Sequence, residues 1–118
     1  SMDRASLAHS HCMPLKGAQH RLDAAALAQA REIFTHWQIA EDGSELVRVL
    51  RFADYHHTMA FVNALAWVAH NEDHHPDLEV GYNRVRVRFS THDVGGLSLN
   101  DLICAARCDQ LVEGRRGG

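Results

Sequence analysis

His70-Asn71-Glu72-Asp73-His74-His75-Pro76 is the densest run of chemically capable side chains in this sequence. A second cluster, Ser90-Thr91-His92-Asp93, follows an alternating segment. Histidine titrates nearest neutrality, so convergent imidazoles point to metal binding or proton transfer. For zinc, His70 and His74 stand four apart and share a face if the helix extends that far, with His92 as a third ligand. The metalloprotease pattern, however, needs Glu directly after its first His, where Asn71 stands. The deaminase pattern is half met by His70-Asn71-Glu72, but Pro76 is followed by Asp77 and no cysteine pair. A bland alternative is helix capping, since a protonated His at a helix C-terminus is stabilised by ~0.3–1 kcal/mol. That accounts for one histidine, not for three beside a proline. Metal-free acid–base catalysis accounts for all three, because neighbouring imidazoles supply both a proton donor and an acceptor near pH 7. Elimination of water is a reaction of that type.

Bringing the two clusters together requires particular elements. Asp23 reads as the N-cap of a helix with an apolar stripe through Leu27, Ala30, Ile33, Phe34 and Trp37. Trp37–Ala40 and Glu45–Phe52 form a β-hairpin around Asp42-Gly43. A helix follows from Asp54 or Tyr55 to Asn71. Met59, Val62, Ala66 and Ala69 mark one stripe, widened by Phe61, Leu65 and Val68. So broad a surface should pack on the sheet and also on a further partner, such as a second subunit. Pro76 closes the helical region. A strand over 78–82 and one over 84–89 pair around Asn83, so the start of the first lies beside the end of the second. His74-His75 and His92 then meet at one end of the sheet. Val85, Val87 and Phe89 alternate with Arg84, Arg86 and Arg88, the solvated face of a half-buried antiparallel sheet rather than a nucleic-acid stripe. Ser98-Leu99-Asn100-Asp101 reads as a capping box opening a last helix to about Glu113. The order α-β-β-α-β-β-α predicts an α+β fold, a four-stranded antiparallel sheet with helices on one face.

The whole chain bounds these readings. With 118 residues, 46% hydrophobic and 23% charged, it is one globular domain. A formal net charge of −3 gives no general attraction to nucleic acid or acidic lipid. No apolar run approaches the ~20 residues that cross a bilayer, and no secretory leader is visible, which predicts a cytoplasmic protein. Cys12, Cys104 and Cys108 lack disulfide or C-x-x-C spacing and suit a reducing compartment as buried or half-buried thiols. Residues 1–21 lack periodicity and read as a flexible arm with Ser1-Met2 a tag remnant. His9, His11 and Cys12 within it lack the fourth partner of a metal clip. Residues 22–113 form the domain, and 114–118 a flexible tail.

At His70, His74, His75, Pro76, Tyr82, His92 and Asp101 the sequence resembles the pterin-4a-carbinolamine dehydratases, whose signature has these residue types at these spacings. Ser90-Thr91-His92 and Gly96-Leu97-Ser98 also resemble the family, and the likeness extends over about residues 22–113. The resemblance implies a hydro-lyase that dehydrates 4a-hydroxytetrahydropterin, the product of aromatic amino acid hydroxylases, to quinonoid dihydropterin. It implies no metal or organic cofactor, and a homotetramer or homodimer. His74 and His92 would be the acid–base pair, and His75 would bind and orient the pterin. The main chain of His74, His75 and Pro76 and of Thr91, His92, Asp93 and Val94 would line the pocket. His70 and Asp101 would support them. At position 70 the family commonly has Glu, whose charge would raise a neighbouring imidazole's pKa; a histidine would shift the pH optimum. Asp101 also has a sufficient structural role as a helix cap, and Tyr82 is a packing residue. The family includes proteins that act by binding, so a dehydratase-like assembly factor or transcriptional coactivator is the alternative, and zinc binding the third.

Overall fold

In a computed structural model, residues 2–114 are described; Ser1 and the expected tail beyond Gly114 lie outside them. Four helices and four strands run in the order α1 (Arg4–His9), α2 (Ala24–Ile33), β1 (Gln38–Ile39), β2 (Leu46–Arg51), α3 (Tyr55–Glu72), β3 (Asp77–Val80), β4 (Arg84–Phe89) and α4 (Leu99–Glu113). The sheet is antiparallel with strand order β1-β2-β4-β3. Asp77 of β3 lies opposite Arg88 of β4, so the start of one strand does adjoin the end of the other. The predicted α+β architecture is therefore present, with α1 added in front.

Strand alternation sorts the two faces. Leu46 and Leu50 of β2 and Val85, Val87 and Phe89 of β4 are buried on the helix-covered side. The opposite face carries the arginines, and acids neutralise two of them: Arg86 bonds Glu79 at 2.8 Å, while Arg88 bonds Glu45 at 2.6 Å and also Asp77. A solvated, charge-balanced face is the result, as the alternation predicted.

Side-chain caps start the helices where expected. Asp23 accepts from Ala26 N–H at 2.9 Å and Asp54 from His57 N–H at 2.9 Å, each satisfying a donor the helix leaves open. On α3 the buried line is Thr58, Phe61, Leu65, Ala69 and Glu72. Of the broad stripe expected there, Phe61, Leu65 and Ala69 are buried, Met59, Val62 and Val68 lie at the edge, and Ala66 is in solvent. Buried Thr58 decides the rotation, because its hydroxyl sits 2.8 Å from both the Asp54 and Tyr82 carbonyls and binds α3 to the β3–β4 turn.

The first 21 residues differ from the expected loose arm. Asp3 caps α1, and Leu7 and Ala8 are buried against α4. Six residues are too few to stabilise a helix by themselves. Here α1 is fixed by tertiary contacts that periodicity cannot reveal. The anchor is Asp109 on α4, 2% exposed. It accepts from Trp37 Nε1 (2.8 Å), Arg48 (2.5 Å) and Arg4 (3.0 Å), drawing α1, the β1 approach and β2 onto one helix. Arg48 thus occupies a core-facing position of β2 because a buried carboxylate meets it there. Asp109→Ala would strand a largely buried guanidinium and an indole N–H. We expect it to destabilise the protein by about 3 kcal/mol in urea unfolding, whereas Glu79→Ala on the open face should change stability by less than about 1 kcal/mol.

Candidate active site

Local backbone geometry puts His74 where it is. Helix α3 ends at Glu72 because Asp73 adopts the left-handed conformation (φ 49°), which Asp tolerates better than most residues. The His74 N–H reaches the Ala69 carbonyl (3.1 Å) and the Asp73 N–H the His70 carbonyl (3.3 Å), the paired bonds of a Schellman motif. The stop thus comes before Pro76, and His74 leaves the helix cylinder. His70 remains on α3, exposed and edge-on to Trp67 at 5.7 Å, above a separate hollow with Asn63 and Ala66. The shared helix face that a zinc pair needs is absent, and His70 does not join His74.

From the other side, β4 ends at Phe89 and a 3-10 turn spans His92–Val94. The Thr91–Gly96 bridge closes this loop, and Gly95 takes a positive φ of 77°. At Gly96 a Cβ would come within 2.9 Å of the Arg21 guanidinium and 3.0 Å of the Gly43 carbonyl. That guanidinium holds the Gly95 and Asp42 carbonyls at 2.5 and 2.6 Å, locking the loop to the first hairpin.

Both approaches converge on Asp101 in the first turn of α4, which is fully buried. Its Oδ1 lies 2.6 Å from His74 Nε2. Its Oδ2 accepts from Thr91 Oγ1 at 2.6 Å and from the Ser98 N–H at 2.9 Å. Since the single Thr91 proton goes to Asp101, the Ser98 hydroxyl donates to Thr91 across 2.7 Å. The imidazole of His74 stacks on Phe89 (9° between planes), and its side chain is 12% exposed. Asp101 is therefore both the expected helix cap and the partner of His74. A carboxylate only accepts, so this contact calls for a proton on Nε2 of His74.

A cavity of about 400 Å³ opens beside His74, within the ~300–1,000 Å³ usual for small-molecule sites. Thr91, Asp93 and Asn100 line it with His74 and the Asn71–Asp73 end of α3. The remaining lining is residues 12–16, which sequence reading left in the arm. His75 and His92 are exposed and stand outside this lining, Pro76 is half-buried and Val94 is buried. The two histidine clusters do meet at one end of the sheet, but through Asp101 and Thr91.

Residues 10–17 form a strap with anchors at both ends. Arg107 donates to the Ser10 carbonyl (2.5 Å), and Glu72 accepts the Cys12 N–H (2.7 Å) and pairs with His11 Nδ1 (2.9 Å). Asn100 brackets Met13, accepting its N–H (3.2 Å) and donating to its carbonyl (2.7 Å). Gly17 N–H reaches the Asp93 carbonyl (3.0 Å). The Sγ atoms of Cys12 and Cys104 lie 3.6 Å apart; that contact and burial push the Cys104 thiol up, and burial pushes Cys108 up to about 12. No local signal in residues 10–17 announces the strap, since its partners are 60 or more residues away.

Comparisons with known proteins place the chain in a family. Residues 20–111 match the pterin 4 alpha carbinolamine dehydratase family. A Xanthomonas oryzae protein, whose name assigns it provisionally to the pterin-4-alpha-carbinolamine dehydratases, is 58% identical over 94% of each chain. A Stenotrophomonas maltophilia protein with the same provisional name is 57% identical, over 94% of this chain and 96% of its own. Among solved structures, a transcriptional coactivator/pterin dehydratase from Brucella melitensis superposes with TM-score 0.73 at 27% identity, covering 77% of this chain and 97% of that one. A pterin dehydratase-like RuBisCO assembly factor of the alpha-carboxysome gives TM-score 0.55 at 26% identity, over 64% and 87% of the two chains. The chain belongs to the pterin 4 alpha carbinolamine dehydratase family.

Burial pushes the Glu72 carboxyl up, but the Cys12 N–H, His11 and Arg107 outweigh it and hold the group below the usual glutamate range. A depressed folded pKa contributes stability above the unfolded value of about 4.3 and loses it as pH falls through the folded one. Glu72→Gln should therefore melt below wild type at pH 7, and the gap should close as pH falls below 4. Thermal melting across pH 3–7 checks this.

Proposed function

We propose that the protein dehydrates 4a-hydroxytetrahydropterin, 4a-hydroxytetrahydrobiopterin among such substrates, to the quinonoid dihydropterin without a metal or organic cofactor. The observation that carries this reading is His74 held through Nε2 by the buried Asp101 carboxylate, beside a cavity of small-molecule size. In the neutral tautomer so fixed, Nδ1 has a free lone pair and can take the proton from the ring N5. Asp101 stabilises the imidazolium that forms, as the aspartate of a catalytic triad does. His92, on the 3-10 turn one residue after Thr91, donates a proton to the departing 4a-hydroxyl, which leaves as water. His75 binds and orients the ring. The main chain of His74 to Pro76 and of Thr91 to Val94 contacts its polar edge, and Asp93 stands at the cavity wall. Set apart on α3, His70 takes no part in the proton transfers.

In this reading the protein is a cytoplasmic hydro-lyase that returns the pterin spent by an aromatic amino acid hydroxylase to the reduced pool. It acts as a homotetramer or homodimer, with no direct nucleic-acid or membrane partner. A second reading, a dehydratase-like assembly protein, draws on the likeness to the RuBisCO assembly factor. The paired His74 and Asp101 favour the enzyme, because a binding scaffold has no use for an imidazole of fixed tautomer in a cavity.

The deciding experiment measures dehydration of 4a-hydroxytetrahydrobiopterin generated by a phenylalanine hydroxylase. Wild type should accelerate it, and His74→Ala and His92→Ala should each lower kcat by about 10²-fold or more. His70→Ala should stay within a few-fold of wild type. A folded wild-type protein without acceleration would overturn the enzyme reading in favour of the scaffold.

A further inference from the structure

The cavity lining divides sharply by origin. Every cavity-lining residue supplied by α3, β4 and α4 or their connecting loops is polar: Asn71, Glu72, Asp73, His74, Thr91, Asp93 and Asn100. The apolar lining, Cys12, Met13, Pro14 and Leu15, comes wholly from the strap, which also contributes Lys16 and precedes the residues that match the family. A flat heterocycle presents hydrogen-bonding groups at its edge and weakly solvated faces above and below. In this cavity the elements within the family match supply the polar wall and the strap supplies the apolar one.

We propose that the strap, residues 10–17, is a ligand-binding element of this site, in which Met13, Pro14 and Leu15 cover a face of the bound pterin ring and so set its affinity. The inference rests on the pterin reading above. Backbone anchoring suits the strap to this work. Asn100 fixes both polar groups of the Met13 peptide backbone, and Glu72 and Asp93 hold the chain on either side. The side chains therefore remain free to meet a ligand, and Met13 is 62% exposed. Preformed anchoring also lowers the ordering cost of binding. Asn100 acts as a positioning residue through Met13, with no role of its own in proton transfer.

The test is the affinity for 7,8-dihydrobiopterin, an unreactive ring, together with KM and kcat for dehydration. Met13→Ser/Leu15→Ser leaves every backbone anchor in place, and Met13→Ser alone alters only an exposed side chain. The double variant should weaken binding and raise KM about tenfold, with kcat within about twofold of wild type. Asn100→Ala should weaken binding similarly in the wild-type background and have little further effect in the double variant, a non-additivity that general destabilisation would not produce. Unchanged affinity in the double variant overturns the inference while leaving the dehydratase reading intact. A fall in kcat at constant KM also overturns it. Absence of dihydrobiopterin binding by wild type overturns the pterin reading itself, and the two failures are thereby separated.

Discussion

A carboxylate with no solvent exposure must find its partners inside the protein, and Asp101 finds them in three separate elements. Leaving a buried charge unpaired costs several kcal/mol, so this group in effect dictates which segments meet. The end of α3 arrives through His74, the end of β4 through Thr91, and the start of α4 through the Ser98 N–H. The candidate site is the place where these three elements are pinned. Cap, relay and imidazole partner are thus one interaction.

The same device recurs twice along the helical layer. Asp109, two turns further along α4, gathers Trp37, Arg48 and Arg4. Glu72, at the end of α3, takes the Cys12 N–H and His11 and so holds the strap. Apolar burial supplies the bulk of the driving force, through Phe34, Phe89, Leu65, Leu102 and their neighbours. Burial is non-directional, however, and hydrogen-bonded carboxylates add the directions. One fixes the sheet and α1, one fixes the N-terminal strap, and one fixes the histidine.

Much of this was legible before any coordinates. Strict alternation in β4 identified both faces of the sheet, and Asp23 and the Ser98–Asp101 capping box identified two helix starts. Pairing of the two strands around Asn83 placed His74 and His92 at one end of the sheet. The missing parts share a physical cause, long-range partnership with no local pattern. Helix α1 has six residues and folds because α4 buries Leu7 and Ala8. The rotation of α3 buries Phe61, Leu65 and Ala69 of its broad apolar stripe together with Thr58 and Glu72, whose partners lie far off in the chain. Its stop, expected at Asn71, comes one residue later at Glu72 through Asp73 in a left-handed conformation, and this single residue separates His70 from His74. Arg48 stands on the core face of β2 because Asp109 lies behind it.

The central claim is that Asp101 fixes the Nε2–H tautomer of His74 and leaves Nδ1 for the pterin. Nitrogen-15 NMR of the imidazoles, recorded with and without 7,8-dihydrobiopterin, tests it directly. The account predicts that neutral His74 carries its proton on Nε2 in the free protein, and that the ligand shifts Nδ1 while Nε2 stays bonded to the carboxylate. A His74 protonated at Nδ1 when neutral, or a ligand that shifts the Trp67–His70 face of α3 and leaves His74 unmoved, would contradict it.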